Sequence, residues 1–198
     1  MDTLRLTVLP FTVIDGELKV YLKKGEKGSY ASLSETLAGN TSPDETAGRL
    51  FTALTKIPDS KCYQEQLYTF SYSSKIVIAY YMLVPSYLLQ GERKNWISVK
   101  KVTISDKEIL EYAVQRLRWK VEYTNVVYSL LPAEFTLSEL QMTYEAILRR
   151  ILDKRNFRKK ILSLGILDVS KHIRSGIKAR PAHMYEFRDK KMVMVKVF

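Results

Sequence analysis

The first two-thirds of the chain alternate short apolar runs with turn residues, a pattern typical of a β-sheet. Residues 6–13 and 18–22 are rich in apolar and β-branched side chains and flank Asp15-Gly16. Because glycine accepts the positive φ angle that a tight turn requires, this arrangement predicts a β-hairpin. Residues 67–72 and 76–84 form two further runs, separated by a pair of serines. Their aromatic and β-branched side chains favour strands.

Two amphipathic helices are predicted in the same region. Ser42-Pro43-Asp44-Glu45 combines an N-cap, a proline at the first helical position and the glutamate of a capping box. The residues that follow place four apolar side chains at helical spacing, namely Ala47, Leu50, Phe51 and Leu54. A second helix is predicted over residues 106–121, with an inward face of Ile109, Leu110, Ala113 and Leu117. Both patterns indicate helices that pack against the sheet.

The last third of the chain predicts two short helices joined by a turn. Thr136 and Glu139 form a second capping box, and the apolar face of that helix is Leu140, Tyr144, Ile147, Leu148 and Ile151. Asp153 is the expected N-cap of the next helix and Gly165 its stop signal. The buried stripe of this helix is Phe157, Ile161 and Leu164, and its exposed face is Lys154, Arg155, Asn156, Arg158, Lys159 and Lys160.

Two capped helices with a basic second member are what a helix-turn-helix needs to place that helix in the major groove of DNA. Arginine can bridge guanine, asparagine can bridge adenine, and lysine acts as a point charge toward phosphate. A strand over residues 166–170, a basic loop over 171–182 and a returning strand over 183–187 then predict a β-wing. Three basic residues at the tip of this wing would flank the duplex: Arg174, Lys178 and Arg180. The alternative is a solvated basic hairpin packed on two helices.

Charge supports the nucleic-acid interpretation, because it is concentrated in one part of the chain. The 198 residues carry 32 Lys and Arg against 21 Asp and Glu, a net charge of +11. The 66 residues after Pro132 carry 15 basic and seven acidic side chains, so +8 of the excess lies there. Concentrated positive charge favours a polyanionic partner, since neutralising phosphates releases counterions. A basic face that is only solvated remains the alternative.

Several classes of protein are disfavoured by composition. No apolar run approaches the roughly 20 residues that a membrane helix needs. The first residues show no signal-peptide pattern, and the single cysteine, Cys62, excludes an internal disulfide framework and fits a reducing cytosol. We interpret Cys62 as a packing residue. His172 and His183 are not spaced for a metal site, so we expect them on the surface or in the wing.

The hairpin, loop, helix and mixed strands of the first two-thirds resemble the Nudix fold. Nudix hydrolases hold Mg²⁺ on glutamates along one helix face, because hard cations require oxygen ligands. Aligning the arginine of the Nudix box on Arg49 places Glu35 at the first glycine, Thr41 at the first glutamate and Lys56 at the later glycine. The remaining glutamate positions become Leu50, Ala53 and Leu54. We therefore expect the helix scaffold without its metal ligands.

Residues 106–187 resemble the NrtR-type Nudix-related transcriptional regulators. The matching segments are Glu122-Tyr123-Thr124, Leu130-Leu131-Pro132, the run from Phe135 to Gln141, Tyr144-Glu145, the run from Leu152 to Lys160, and Arg180-Pro181-Ala182. The resemblance implies a homodimeric regulator whose Nudix-like domain senses a metabolite such as ADP-ribose or a sugar derivative. It also implies winged helices that read a palindromic operator. The box loop departs from the family, since residues 33–41 lack its paired glycines.

The sequence thus predicts an α+β chain: a Nudix-like α/β/α sandwich with a mixed sheet over residues 1–128, then a winged helix-turn-helix domain over 129–198. The predicted function is sequence-specific binding of a double-stranded DNA operator under control of a small-molecule effector, in a cytoplasmic homodimer without catalytic residues, metal or cofactor. Arg49 and Lys56 are the candidate effector ligands. Two alternatives remain open: a metal-dependent diphosphate hydrolase with an atypical site, and a wing module that binds RNA or protein.

Overall fold

The computed structural model describes residues 3–25, 29–38, 40–89, 93–176 and 179–198. They form two compact units: Met1–Ile14 with Leu18–Arg116, and Asp15–Glu17 with Leu117–Phe198. The strands in chain order are β1 (Thr3–Ile14), β2 (Glu17–Tyr21), β3 (Lys23–Lys24), β4 (Tyr30–Ala31), β5 (Leu33–Thr36), β6 (Tyr63–Tyr72), β7 (Lys75–Leu83), β8 (Trp96–Ser98), β9 (Leu167–Gly176) and β10 (Ala179–Phe187). The α-helices are α1 (Pro43–Thr55), α2 (Lys107–Tyr123), α3 (Leu137–Leu148) and α4 (Lys154–Ser163).

The first unit is built on a six-stranded mixed sheet with the order β6-β7-β1-β2-β8, in which β5 also pairs with β1. The pairing of β1 with β7 is parallel, and those of β1 with β5, β6 with β7, and β2 with β8 are antiparallel. β1 is buried along almost its whole length, as expected of a central strand. The predicted turn is present, with φ of 51° at Asp15 and 71° at Gly16. Both predicted strand pairs are confirmed.

Helix α1 packs on this sheet through the predicted apolar face. Ala47, Leu50 and Phe51 are buried and Leu54 is half-buried. The hydroxyl of Ser42 accepts a hydrogen bond from the Glu45 backbone N–H at 3.4 Å. The helix ends at Lys56, which lies in the left-handed region with φ of 63°. Thus α1 begins where the sequence pattern predicts and buries most of the predicted face.

The second unit contains the end of α2, helices α3 and α4, and the two-stranded ribbon of β9 and β10. Its core includes the apolar stripes of both helices, with Leu140, Tyr144, Ile147 and Ile161 fully buried and Phe157 only 4% exposed. Two sequence expectations are wrong here. Ile151 is 94% exposed because α3 ends at Leu148 and Arg149 turns the chain into the left-handed region. The predicted wing loop over residues 171–182 is mostly strand, because β9 extends to Gly176 and β10 begins at Ala179.

Candidate nucleic-acid interface and candidate ligand cleft

The start of α3 is fixed by a complete capping box. The side chain of Glu139 accepts hydrogen bonds from the Thr136 backbone N–H at 2.8 Å and from the Thr136 hydroxyl at 3.0 Å. In return, the Thr136 hydroxyl oxygen accepts from the Glu139 backbone N–H at 3.2 Å. These bonds satisfy N–H groups that a helix terminus otherwise leaves without partners. The first helix of the motif therefore has a defined direction at its N-terminus.

The turn between α3 and α4 is held by a pair of side chains whose role sequence patterns did not reveal. The amide of Gln141 donates to Glu145 Oε1 at 3.0 Å and to the Leu152 carbonyl at 2.9 Å. Glu145 Oε1 also accepts from the Leu152 backbone N–H at 2.9 Å. Because Leu152 lies next to the N-cap of α4, this network ties the second helix to the first. The spacing of Gln141 and Glu145 at i and i+4 was the available signal.

Helix α4 presents polar and basic side chains from its first turn onward. Asp153 accepts a hydrogen bond from the Asn156 backbone N–H at 2.8 Å, so the predicted N-cap is confirmed. The helix contains no acidic residue. Four of the predicted contact residues are exposed: Lys154, Arg155, Asn156 and Lys159. They can reach a partner without any rearrangement of the helix.

Arg158 differs from the other predicted contact residues, because it is half-buried. Its guanidinium donates to the Ser138 hydroxyl at 3.2 Å. Its Nε is buried and has no hydrogen-bond partner among the described residues. The expectation that Arg158 lies on the exposed face is therefore wrong. Its side chain instead joins α4 to the first turn of α3.

The wing ribbon is attached to α3 and its preceding loop by two glutamates. Arg174 of β9 donates to Glu139 Oε1 at 2.6 Å, so the glutamate of the capping box also anchors a predicted wing cation. His172 Nδ1 lies 2.8 Å from Glu134 Oε1, and the Ser170 hydroxyl donates to the same carboxylate. His172 and His183 are both exposed wing residues, as expected. Arg180 lies in β10, and Lys178 lies outside the described residues.

Both glutamates are held in the charged form. Burial raises the pKa of Glu139, but hydrogen bonds from Thr136 and Arg174 outweigh it and place the pKa below its usual range. Hydrogen bonds from Ser170 and His172 likewise lower the pKa of Glu134. At neutral pH both glutamates are therefore charged partners for the wing.

The two candidate effector ligands of the first unit lie in different surroundings. Arg49 forms an ion pair with Glu35 at 2.5 Å, so its guanidinium is already engaged. Lys56 is exposed and donates its backbone N–H to the Thr52 carbonyl at 2.9 Å. At the box positions, Leu50 is buried, Ala53 is exposed and Leu54 is half-buried. The described residues contain no group of three or more His, Cys, Asp or Glu side chains that could hold a metal ion.

Lys56 lines a cleft of about 620 Å³ at the C-terminal end of α1. Lys61 and Lys94 line it as well, and sequence patterns did not single out either of them. Tyr21 and Asn95 contribute polar groups, and the apolar part of the lining comes from Leu54, Ile57, Pro58, Leu88 and Leu89. Cys62 is half-buried nearby in sequence, and burial raises the pKa of its thiol to about 12. This thiol is inert at neutral pH, as expected of a packing residue.

Among the residues that the structure describes, no helix is long and apolar enough to cross a membrane.

Comparison with protein families matches the second unit. A family model described as the NrtR DNA-binding winged helix domain matches residues 127–187. The ADPR-responsive transcriptional repressor NtrR of Acinetobacter baylyi is 33% identical over 102 residues, which cover 49% of this chain and 40% of that protein. The chain thus spans less than half the length of this curated relative. The resemblance to NrtR-type regulators is confirmed.

Solved structures match nearly the whole chain at low sequence identity. Shewanella oneidensis NrtR, crystallised with a 27mer DNA, has a TM-score of 0.77 and 22% identity, and the match covers 93% of each chain. A MutT/nudix family protein from Enterococcus faecalis has a TM-score of 0.73 and 18% identity, covering 96% of this chain and 89% of that one. The predicted fold class, a Nudix-like domain with a mixed sheet followed by a winged helix, is confirmed. The roles of individual residues stay predictions.

Proposed function

We propose, from the match of residues 127–187 to the NrtR DNA-binding winged helix domain, that the chain is a sequence-specific DNA-binding transcriptional regulator. One observation carries the proposal. Within the matched residues, α4 has a side-chain N-cap, no acidic residue, and exposed lysine, arginine and asparagine side chains in its first two turns. A helix of this kind fits the recognition helix of a helix-turn-helix.

The proposed roles follow from side-chain chemistry. Arg155 and Asn156 read base edges, because each can make two hydrogen bonds to a purine. Lys154 and Lys159 neutralise phosphates and set the register of the helix on the duplex. Arg158 serves chiefly to position α4, since its guanidinium is bonded to Ser138. Arg174, Lys178 and Arg180 place the wing against the DNA backbone.

We propose that the Nudix-like domain senses a small metabolite and does not hydrolyse it. Leucine and alanine at the box positions offer no oxygen ligand for Mg²⁺. The relative from Acinetobacter baylyi is named as responsive to ADPR, and its partial match makes ADP-ribose a first effector to test. Effector and operator binding would be linked reciprocally through a shift between two arrangements.

We place the domain boundary at residue 128, and we expect a cytoplasmic homodimer that acts as a repressor. Two-fold symmetry in the protein would match an operator with two half-sites.

The test is binding to a duplex that the chain itself selects from a random DNA library. Replacing Arg155 and Arg180 together by alanine should weaken binding about tenfold or more, since each arginine contact to a base or phosphate stabilises the complex by roughly 1–3 kcal/mol. Lys190→Ala is the matched control, because Lys190 is exposed in the same unit and outside the proposed surface. Full affinity in the double variant would overturn the assigned surface. Hydrolysis of ADP-ribose to AMP and ribose 5-phosphate that stops with EDTA would overturn the proposal that the domain does not catalyse this reaction.

A further inference from the structure

Residues 191–198 follow the wing and pair with the end of α2, and we call this segment the strap. The Val195 backbone N–H donates to the Tyr123 carbonyl at 2.9 Å, and the Val197 backbone N–H donates to the Glu122 carbonyl at 2.8 Å. The last carbonyls of a helix have no partner within the helix itself. The strap therefore supplies the hydrogen bonds that the C-terminus of α2 would otherwise lack.

The start of the strap is anchored by Asn125, a polar residue that is only 1% exposed. Its side-chain nitrogen donates to the Lys191 carbonyl at 3.0 Å, and its Oδ1 accepts from the Val193 backbone N–H at 2.8 Å. The Asn125 backbone N–H donates to the Val193 carbonyl at 3.2 Å. A buried amide is costly unless it is hydrogen-bonded, so these bonds hold the strap to one path.

The other end of the strap packs on the helix-turn-helix through Phe198. Its ring lies edge-on to that of Tyr144 in α3, with centroids 5.6 Å apart and an interplanar angle of 80°. Tyr144 is fully buried and makes a second edge-on contact, also at 5.6 Å, with Phe157 of α4. Aromatic rings attract one another in this geometry. Three rings thus join the strap, α3 and α4.

Phe198 also lies beside the turn that leads into α4. The Arg150 guanidinium lies over the Phe198 ring, 5.0 Å from its centroid, and forms an ion pair with Glu122 of α2 at 3.5 Å. A cation over an aromatic face is attracted to it. Phe198 lines a cavity of about 180 Å³ together with Leu152, Asp153, Asn156, Phe157 and Lys160. The ring therefore borders the N-cap and the first turns of α4.

We propose that the strap positions the recognition helix for its operator, with Phe198 as the positioning residue. It ties the start of α4 to the end of α2, so that Arg155 and Asn156 meet base edges with little adjustment. A surface held in its bound arrangement beforehand loses less conformational freedom on binding. The inference rests on the proposed function and deepens it. The strap lies beyond residues 127–187, which match the winged helix domain.

The first test measures binding of Phe198→Ala by fluorescence anisotropy, at several salt concentrations, to a duplex selected by the wild type and to an unrelated duplex. Affinity for the selected duplex should fall by about 3- to 10-fold, as for the loss of an aromatic contact. Affinity for the unrelated duplex and the salt dependence should be unchanged, because no cationic side chain has been removed. Phe198→Tyr keeps the ring and should bind like the wild type. Met194→Ala is the matched control, since Met194 belongs to the strap and is 73% exposed.

The second test needs no DNA and follows hydrogen exchange at the start of α4. The Asn156 backbone N–H donates to the Asp153 side chain at 2.8 Å, and the Phe157 backbone N–H donates to the Asp153 carbonyl at 2.9 Å. Both N–H groups should exchange faster in Phe198→Ala than in the wild type, because local opening of this turn becomes easier. They should exchange at the wild-type rate in Met194→Ala. Thermal melting establishes that each variant is folded at the assay temperature.

Three results would overturn the inference: equal affinity of Phe198→Ala and the wild type for the selected duplex, equal losses on both duplexes, or unchanged exchange at Asn156 and Phe157. In each case the wild type still selects a duplex, so the proposed function stands. A wild type that selects no duplex from the library would overturn the proposed function, and the inference with it.

Discussion

Helices α1 and α4 begin in the same way and end with different surfaces. Each has a side-chain N-cap, Ser42 in α1 and Asp153 in α4, that accepts from a backbone N–H three residues later. Each buries a phenylalanine, Phe51 and Phe157. Helix α1 carries no acidic side chain after Glu45. Helix α4 carries five exposed or half-buried lysine and arginine side chains and no acidic one. Capping and burial position a helix, and the residues on its outer face decide its function.

The largest expected effect is on stability, in α1. Replacing the fully buried Phe51 by alanine should lower the free energy of unfolding by about 3–5 kcal/mol, because it removes apolar burial and leaves a cavity. Urea denaturation of the variant and the wild type measures the change. Glu45→Ala, an exposed position on the same helix, is the control. A loss below about 1 kcal/mol would mean that α1 does not depend on this face.

The second prediction compares the effects on operator binding of the exposed arginine of α4, Arg155, and that of α1, Arg49. Arg155→Ala in α4 should weaken operator binding by about 1–3 kcal/mol, since arginine can bridge a guanine. Arg49→Ala in α1 should leave operator binding unchanged, because its guanidinium is paired with Glu35. Fluorescence anisotropy with one labelled duplex measures both. Equal losses in the two variants would contradict the division of roles between the helices.

The third effect compares the two N-caps. Ser42→Ala and Asp153→Ala should each lower the free energy of unfolding by about 1 kcal/mol, because each leaves a terminal N–H without its partner. Only Asp153→Ala should also weaken operator binding, since it frays the turn that carries Arg155. Denaturation and anisotropy on the same samples test this. An equal effect of both caps on DNA binding would argue against a reading role for α4.

A smaller, stabilising effect is expected at the end of α1. Lys56→Gly should raise the free energy of unfolding by about 0.5–1 kcal/mol, because glycine adopts the left-handed region without strain. Lys56→Ala is the control, since it removes the ammonium group and keeps the strain. Thermal denaturation measures both variants. A glycine variant less stable than the alanine variant would show that the backbone at residue 56 is not strained.

The smallest expected effect is on the pH dependence of stability, through Glu139, which caps α3 and bonds Arg174 of the wing. Because the pKa of Glu139 is lowered in the folded chain, the contribution of its bonds to stability is present above the ordinary glutamate pKa of 4.5 and is lost as the pH falls through the lower folded value. An ion pair this exposed contributes less than about 1 kcal/mol. Glu139→Gln should flatten the pH dependence of unfolding in this acid range. An unchanged profile would show that the bonds of Glu139 to Thr136 and Arg174 do not lower its pKa in the folded chain.

The elements were predictable from the sequence where local chemistry determines them. Ser42, Thr136 and Asp153 cap the helices that their spacing predicts, and the Asp15-Gly16 turn takes the positive φ angles expected of it. The two strands of the wing were predicted too short and the loop between them too long. Pairing between β9 and β10 stabilises as strand several residues whose own preferences indicate a loop. Tertiary pairing of this kind is not encoded in any one window of sequence.

The sites were predicted less completely than the fold. Exposure of Lys154, Arg155, Asn156 and Lys159 followed from helical periodicity. Arg158 was wrongly predicted to lie on the exposed face of α4, because helical periodicity cannot show that Ser138 lies within hydrogen-bond distance of its guanidinium. Lys94 was missed for a similar reason, since only the folded chain brings it to the cleft that Lys56 and Lys61 line. Side chains that meet across long separations leave no spacing to read.

The most direct test of the central claim, that α4 reads DNA bases, is the base preference of the chain. Wild type and Arg155→Ala are each used to select duplexes from the same random library, and the selected sequences are compared position by position. The account predicts that the variant loses preference at one base pair in each half-site and keeps it elsewhere, because one bidentate contact has been removed. An unchanged preference at every position would contradict the assignment of α4 as the recognition helix.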